Sequence, residues 1–382
     1  MELQCGAPRL RVGSTFEGDR GASLMLDPDP VRSEESRPRV PASAAPLPPE
    51  QVLLQMAVGK WVCQALKVAA ELGVADLLAG GPRSVDEIAH GTGSNPDALY
   101  RLLRALAALG VFTERGDRSF ENNALSTALR SDVPRSVRAM VRWLGEEAAW
   151  HAWADFAHSV RTGEPAFDHF HDEQLFDYFA KNPLSAEIFN AGMTSFSAST
   201  GPAVARAYDF SGIGKLVDVG GGHGGLMLAI AERFPAIDCV LFDRPEVIAG
   251  AGPVLSTSRH AERIETRGGD FLEGVPEGAD AYIMKHIIHD WDDERCVRIL
   301  GHCAAAAAKE GRVLVVDQVV TERPESAFSK IMDLEMLAMT PGGRERTELE
   351  FRELFEQAGL VLTRVVATDS LVSIVEGRKA LH

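Results

Sequence analysis

The run Leu216–Phe234, LVDVGGGHGGLMLAIAERF, restricts the possible folds more than any other part of the chain. Leu216–Val219 is a short apolar run with Asp218 inside it, the pattern of a buried parallel strand. Glycines follow, and then a helix with apolar positions at Leu226, Met227, Ile230 and Phe234. A strand, a glycine turn and a helix bring a nucleotide-like ligand against bare backbone at a helix N-terminus. Gly220, Gly222 and Gly225 also fit the spacing G-x-G-x-x-G, which does not separate a dinucleotide from an adenosine-bearing sulfonium.

Strand-like runs at Asp238–Asp243, Arg263–Gly268, Asp280–His286 and Arg312–Val320 follow. Helical runs lie between them, including one capped by Asp292 or Asp293. Beyond them come a helix over Ala327–Met339, a helix opened by the capping box Thr347/Glu350, and strand-like runs at Val361–Ala367 and Leu371–Glu376. This alternation predicts an α/β fold with a Rossmann-like doubly wound sheet and one antiparallel hairpin at its edge. Ligands bind such sheets outside the carboxyl ends of the strands. Those ends carry, in turn, Gly220–Gly225, Asp243, Gly269-Asp270-Phe271, Lys285–Trp291 and Asp317. Asp243 suits a pair of ribose hydroxyls and the Gly269–Phe271 turn suits an adenine. Asp218 reads as a structural acid bonding the glycine turn.

At 382 residues the chain has room for more than one domain, and 45% hydrophobic with 25% charged residues is ordinary globular composition. A formal net charge of −16 argues against nucleic acid or an anionic membrane as the principal partner. No uninterrupted apolar stretch approaches the roughly 20 residues of a membrane span, and the first residues lack the apolar core of a secretory signal. Cys5, Cys63, Cys239, Cys296 and Cys303 are scattered, without a C-x-x-C pair. That predicts free thiols in a reducing cytoplasm, with neither a disulfide framework nor a zinc site.

The pattern divides the chain into four regions. Residues 1–49 mix proline, serine, glycine and charge without period and read as a disordered extension. Residues 50–145 read as helices followed by a hairpin, a winged-helix arrangement. Its third helix has Leu99, Leu102, Leu103, Leu106 and Leu109 on the apolar side, and its hairpin turns at Gly116-Asp117. A winged helix can read DNA, but this third helix offers only Arg101 and Arg104 as basic residues, which favours a dimerisation domain. Residues 146–207 are helical and rich in aromatics, a linker able to shape a flat apolar pocket. Residues 208–382 are the cofactor-binding domain.

A nicotinamide enzyme would also use Asp243, yet would ordinarily carry a second mononucleotide half in the same sheet, so a methyl donor fits better. The motifs VDVGGGHG (Val217–Gly224), FDRPEV (Phe242–Val247), GDF (Gly269–Phe271) and MKHIIHDWDDE (Met284–Glu294) carry a resemblance. So do MDLEML (Met332–Leu337), PGGRERTELEF (Pro341–Phe351) and FNAGM (Phe189–Met193). Together they resemble the plant caffeate-type and bacterial small-molecule O-methyltransferases that use S-adenosylmethionine (SAM). The N-terminal helices resemble that family's dimerisation domain.

The resemblance implies a metal-independent homodimeric enzyme. It puts Gly220, Gly222, Asp243, Gly269, Asp270, Phe271 and Lys285 on SAM, with Ser197 at its carboxylate. It makes His289 the general base, Asp290 its neighbour, and Asp317 and Glu345 its acidic partners. Asp317 stands where the family often has Glu, and the shorter side chain leaves its contact with the imidazole open. Met193, Met336 and Met339 are candidates for the substrate wall or for plain core. His286 and His289, three residues apart at a strand end, are not expected to face one metal ion.

The chemistry is consistent with these roles. Methyl transfer from a sulfonium is an in-line displacement that depends mostly on positioning. A phenol of pKa about 10 is a poor nucleophile at neutral pH, and a histidine of ordinary pKa about 6.5 that takes its proton contributes roughly 10²–10⁴-fold. The implied function is methylation of a phenolic hydroxyl on an aromatic small molecule in specialised metabolism. Two other readings stay open. One is a SAM-binding relative that has lost methyl transfer and catalyses another reaction, and the other is a ligand-sensing winged-helix DNA-binding protein.

Overall fold

The computed structural model describes residues 47–322 and 327–380, so nearly all of the expected N-terminal extension, with Cys5, lies outside the described residues. The described residues divide into two units that part between Trp61 and Val62. In the first, Pro48 and Pro49 open a helix, Pro49–Ala57, that ends at Val58. A second helix, Gly59–Glu71, follows directly. Together Pro49–Glu71 is long and apolar enough to reach across a bilayer by length and composition alone. The expectation from sequence concerns an uninterrupted apolar run, which Pro49–Glu71 is not. A search for an uninterrupted run passes over Gln51, Gln55, Lys60, Gln64 and Lys67, polar residues interspersed among apolar ones as on any amphipathic helix.

In the second unit, local signals decide the first elements. Ser84 and Glu87 form the expected capping box on helix Val85–Thr92, and Asn95 caps helix Pro96–Ala108 by accepting the Ala98 N–H. Three short strands follow the winged-helix pattern: β1 (Arg83–Ser84), β2 (Phe112–Arg115) and β3 (Ser119–Asn122), in the order β1-β3-β2. The β2–β3 turn falls on Gly116 and Asp117 as expected. Leu99, Leu103, Leu106, Phe112 and Phe120 are buried in one core, whereas Leu109 is exposed because it caps the helix beyond its last turn.

The large sheet contains β4 (Lys215–Val219), β5 (Asp238–Asp243), β6 (Ile264–Gly268), β7 (Ala281–Lys285) and β8 (Arg312–Asp317), all parallel. The expected single strand Arg312–Val320 breaks after Asp317. Beyond that residue the chain has no partner in the large sheet, and β9 (Val319–Val320) pairs instead with β10 (Arg346–Thr347). The terminal hairpin, β11 (Leu360–Ala367) and β12 (Ser373–Lys379), joins antiparallel through β12, giving the order β11-β12-β8-β7-β4-β5-β6.

Both faces of the sheet are covered. Leu216, Leu241, Ile283 and Leu314 pack on one side with helix Gly225–Arg233 and the end of helix Pro183–Ala207. Val217, Val240, Tyr282 and Val315 pack on the other with helices Asp293–Ala306 and Glu348–Gln357. Burying each such aliphatic side chain contributes roughly 1.5–3 kcal/mol. Successive residues face opposite layers, which is why these strands read as continuous apolar runs.

One buried acid anchors the hairpin edge. The Glu376 carboxylate accepts from the Tyr208 hydroxyl (2.5 Å), Thr363, Arg364 and Arg378. Burial alone would raise its pKa, but these hydrogen bonds outweigh it and hold the group at about 2. A folded pKa depressed below the unfolded 4.5 contributes stability that is complete above that value and lost as pH falls towards 2. Glu376→Gln is therefore expected to destabilise the fold by on the order of 2 kcal/mol near neutral pH, discounted because both arginines are half exposed. Urea unfolding at several pH values should show that difference shrinking steadily below about pH 4.5.

Candidate functional site

The carboxyl ends of β4, β5 and β7 open into a cavity of about 1940 Å³, walled on its far side by helices Arg138–Leu144, Pro183–Ala207 and Ala327–Met339. At the end of β4 the chain turns through Gly220 at φ +65°, and its N–H donates to the Phe242 carbonyl at 2.8 Å. A Cβ there would strike the Ile287 side chain. Gly222, also at positive φ, donates its N–H to Asp243 Oδ2 at 2.8 Å. Asp243 Oδ1 accepts the Arg244 N–H at 2.7 Å. Each carboxylate oxygen thus holds one backbone donor and keeps a lone pair for a ligand. Burial raises the Asp243 pKa while those two N–H groups counter it.

Asp218 departs from expectation. Its carboxylate packs against Gly221 and lines the cavity without bonding the glycine turn, and Oδ2 has no partner. Burial pushes its pKa to about 7 against the pull of Lys285. Burial in turn lowers Lys285 to about 8, opposed by Asp218, Asp317 and Asp290. The Lys285 ammonium lies 5.5 Å from the Phe196 ring. Ser197, Asp270, Phe271, Met193, Met336 and Met339 all line the cavity. Gly269 does not; a Cβ on it would meet the Phe242 ring, so it serves the packing of the turn.

Beyond β7, a 3-10 turn at Ile288–Asp290 carries His289, which is 7% exposed. The fully buried Arg346 guanidinium holds this turn. It donates to the carbonyls of Ile288 (2.9 Å) and Trp291 (2.9 Å) and to Asp293 Oδ1 (2.8 Å). The Arg344 N–H takes the His289 carbonyl at 2.8 Å, and Gly343 packs so close that a Cβ would lie 2.6 Å from the same oxygen. His289 Nδ1 donates to Glu345 Oε1 at 2.8 Å, and Glu345 is fixed by its own N–H on Asp333 (2.9 Å). Nε2 lies 3.5 Å from Asp290 Oδ1, and His289 is among the residues that line the cavity. Burial lowers the His289 pKa, but Asp290, Glu345 and Asp317 outweigh it and push the ring to about 10.

Asp317 is fully buried, and its Oδ1 accepts the His286 backbone N–H at 2.9 Å. It makes no direct hydrogen bond to the His289 ring among the described residues, so its influence there is through charge. Burial, with Glu345 and Asp290 nearby, lifts its pKa to about 7 while His289 opposes. His286 sits at φ +55° against Phe196, with both ring nitrogens buried and without a hydrogen bond among the described residues, Nδ1 lying 3.5 Å from Asp317 Oδ1. Burial keeps it neutral, reinforced by the charges of Lys285 and His289. The argument from spacing against a shared ion does not hold geometrically. The 3-10 turn brings ligand atoms of His286, His289 and Asp317 within 4.8 Å of one another.

Sequence reasoning missed the cavity roles of Asp218, Glu335 and Arg142. An acid two positions after Asp333 on an otherwise largely apolar helix, as at Glu335 in Ala327–Met339, was the available signal for the second.

Two family matches cover most of the chain: residues 153–361 match an O-methyltransferase domain and residues 54–132 an O-methyltransferase dimerisation domain. The chain is 42% identical to a phenazine O-methyltransferase of Lysobacter antibioticus over 88% of its own length and 98% of that protein's. It is 41% identical to a mitomycin biosynthesis 6-O-methyltransferase of Streptomyces lavendulae, covering 91% of this chain and 99% of the other. Among solved structures, the methyltransferase CalO1 of calicheamicin biosynthesis, in a form bound to S-adenosylhomocysteine (SAH), superposes with a TM-score of 0.75 at 38% identity, over 88% of this chain and all of that one.

If Glu345 is what holds the His289 proton, Glu345→Gln is expected to lower the imidazole pKa by about one unit or more. An NMR titration of the His289 ring checks this, with an unchanged midpoint as the contrary result.

Proposed function

The chain belongs to the SAM-dependent O-methyltransferases, and from that premise we propose that it methylates a phenolic hydroxyl of an aromatic small molecule with His289 as general base. The carrying observation is the buried His289, locked through Nδ1 by Glu345 at 2.8 Å in the lining of a cavity that also holds aromatic and methionine side chains. We further propose a homodimer formed through residues 54–132, and a cytoplasmic location consistent with the free thiols Cys63, Cys239, Cys296 and Cys303.

The residues present fit the cofactor. Asp243, with a backbone donor already on each oxygen, is placed for ribose hydroxyls, and the glycine turn leaves bare backbone beside it. Asp270 and Phe271 would flank the adenine, and the unpartnered Asp218 oxygen, with Ser197 and Lys285, would meet the polar amino-acid end. SAM supplies, when bound, an electrophilic methyl on a positively charged sulfonium.

The proton is the chain's own task. A histidine held at about 10 matches a phenol of ordinary pKa about 10, so transfer to Nε2 is nearly balanced. With an imidazole of pKa about 6.5 the same transfer would run uphill by about 5 kcal/mol. The counter-effect is that the ring is mostly protonated near neutral pH, and a positive charge entering the cavity works against that proton. Asp290, Asp317 and Glu345 stabilise the imidazolium once formed. Met193, Met336, Met339 and Phe176 would hold the aromatic acceptor flat, and Phe176 already stacks on Trp291.

Incubation with methyl-labelled SAM and a panel of phenolic acids, flavonoids and polyketide phenols tests this reading. A labelled methyl ether is expected, with His289→Ala slower by roughly 10²–10⁴-fold while SAH affinity is unchanged. A variant that kept the full rate would remove His289 from the role of base. The acceptor kcat/KM is expected to rise with pH as the ring loses its proton.

A further inference from the structure

Glu335 lies in the helix Ala327–Met339 among Phe328, Ile331, Met332 and Met336, all of which line the cavity. Its Oε2 accepts the indole N–H of Trp153, a residue 182 positions away in sequence. That bond engages Oε2; Glu335 lines the cavity, and no hydrogen bond to its Oε1 is made among the described residues. Among the described residues no lysine, arginine or histidine pairs with it. Burial raises its pKa, opposed only by the Trp153 bond. Of the four arginines that line the same cavity, Arg138 is engaged by Asp76 at 2.5 Å and Arg244 by Glu246 at 2.7 Å, and neither Arg135 nor Arg142 pairs with Glu335 among the described residues. A half-buried carboxylate on an apolar wall loses part of its hydration without a charged partner to replace it, and an occupant that closed the cavity over it would have to supply one. A purely apolar acceptor would be held as well, and at less cost, by an aliphatic side chain in that position.

Building on the methyl-transfer reading, we propose that Glu335 determines acceptor specificity by pairing with a protonated amine on the aromatic substrate. The ammonium donates to Oε1, Trp153 keeps Oε2 in place, and the phenolic hydroxyl lies elsewhere in the cavity at His289. Glu335 touches no reacting atom in this arrangement. It selects which molecules are held.

The test is equilibrium binding in the presence of SAH, read by tryptophan fluorescence, on matched naphthols. Each pair carries an aminomethyl or an ethyl group at the same ring position, nearly equal in shape but different in charge, with the position varied around the ring. At pH 7, wild type is expected to bind at least one ammonium isomer about tenfold or more tightly than its ethyl counterpart. In the near-isosteric Glu335→Gln that ratio should fall close to one, and Glu335→Asp should restore part of it. A ratio near one for every pair in wild type overturns the proposal, as does a preference that survives in Glu335→Gln. Because the readout is binding, it is independent of catalysis. Amine selectivity without methyl transfer would sink the methyl-transfer reading alone, and methyl transfer without amine selectivity would sink this one alone.

Discussion

The site depends on a single buried guanidinium. Arg346 has no exposed surface, and its planar fork closes on two carbonyls, of Ile288 and Trp291, and on the Asp293 carboxylate. Those two carbonyls bracket His289, and Glu345 is the residue just before Arg346 in the chain. One side chain therefore sets both the turn that carries the imidazole and the segment that brings its carboxylate partner. A lysine could make one of these bonds but not the fork, since its donors radiate from one point. The parallel sheet supplies the coarse placement by bringing strand ends to a common edge, and Arg346 refines it to hydrogen-bond distance.

Charge around His289 follows from the same closure. Asp290 and Asp317 share a pocket with His289 and the His286 ring, and burial discourages the two acids from being ionised together. Asp317 and Asp290 are lifted to about 7 and about 6, while the imidazole is lifted to about 10. The groups titrate as a set, so protonating one changes what the others hold. Asp317 takes part without a hydrogen bond to the His289 ring among the described residues. It reaches the His286 backbone and acts on the imidazole across space, leaving the direct bond to Glu345.

What could be read from sequence was mostly local or periodic. The capping boxes at Ser84 and Thr347, the cap at Asn95, and the buried strands of the sheet are each decided within a few residues, and they stand where the pattern put them. Asp243 was legible because the length of a strand–helix–strand unit fixes its distance from the glycines. The rest involves pairs that no spacing connects. Glu345 was reachable only through the motif it belongs to, and the Trp153–Glu335 bond joins segments far apart in the chain. The direction in which Asp218 points was likewise invisible, because alternation gives the face of a sheet but not the partner waiting there. The break at Asp317 came from the loss of a neighbouring strand, which is a property of the assembled sheet.

The helix Pro183–Ala207 runs past both halves of the cavity. Its Gly192 fits against Trp143, Met193 and Phe196 line the wall, Ser197 abuts Gly225, and Gly201 packs on Ala229 behind the glycine turn. A helix seated this closely at one end resists being re-aimed at the other without disturbing the glycine turn it packs on. Lineages built on this scaffold therefore have little freedom to reshape the cavity through the backbone. They can diversify what they accept chiefly by exchanging side chains along the exposed flank of that helix and of Ala327–Met339, while the donor's position is inherited unchanged.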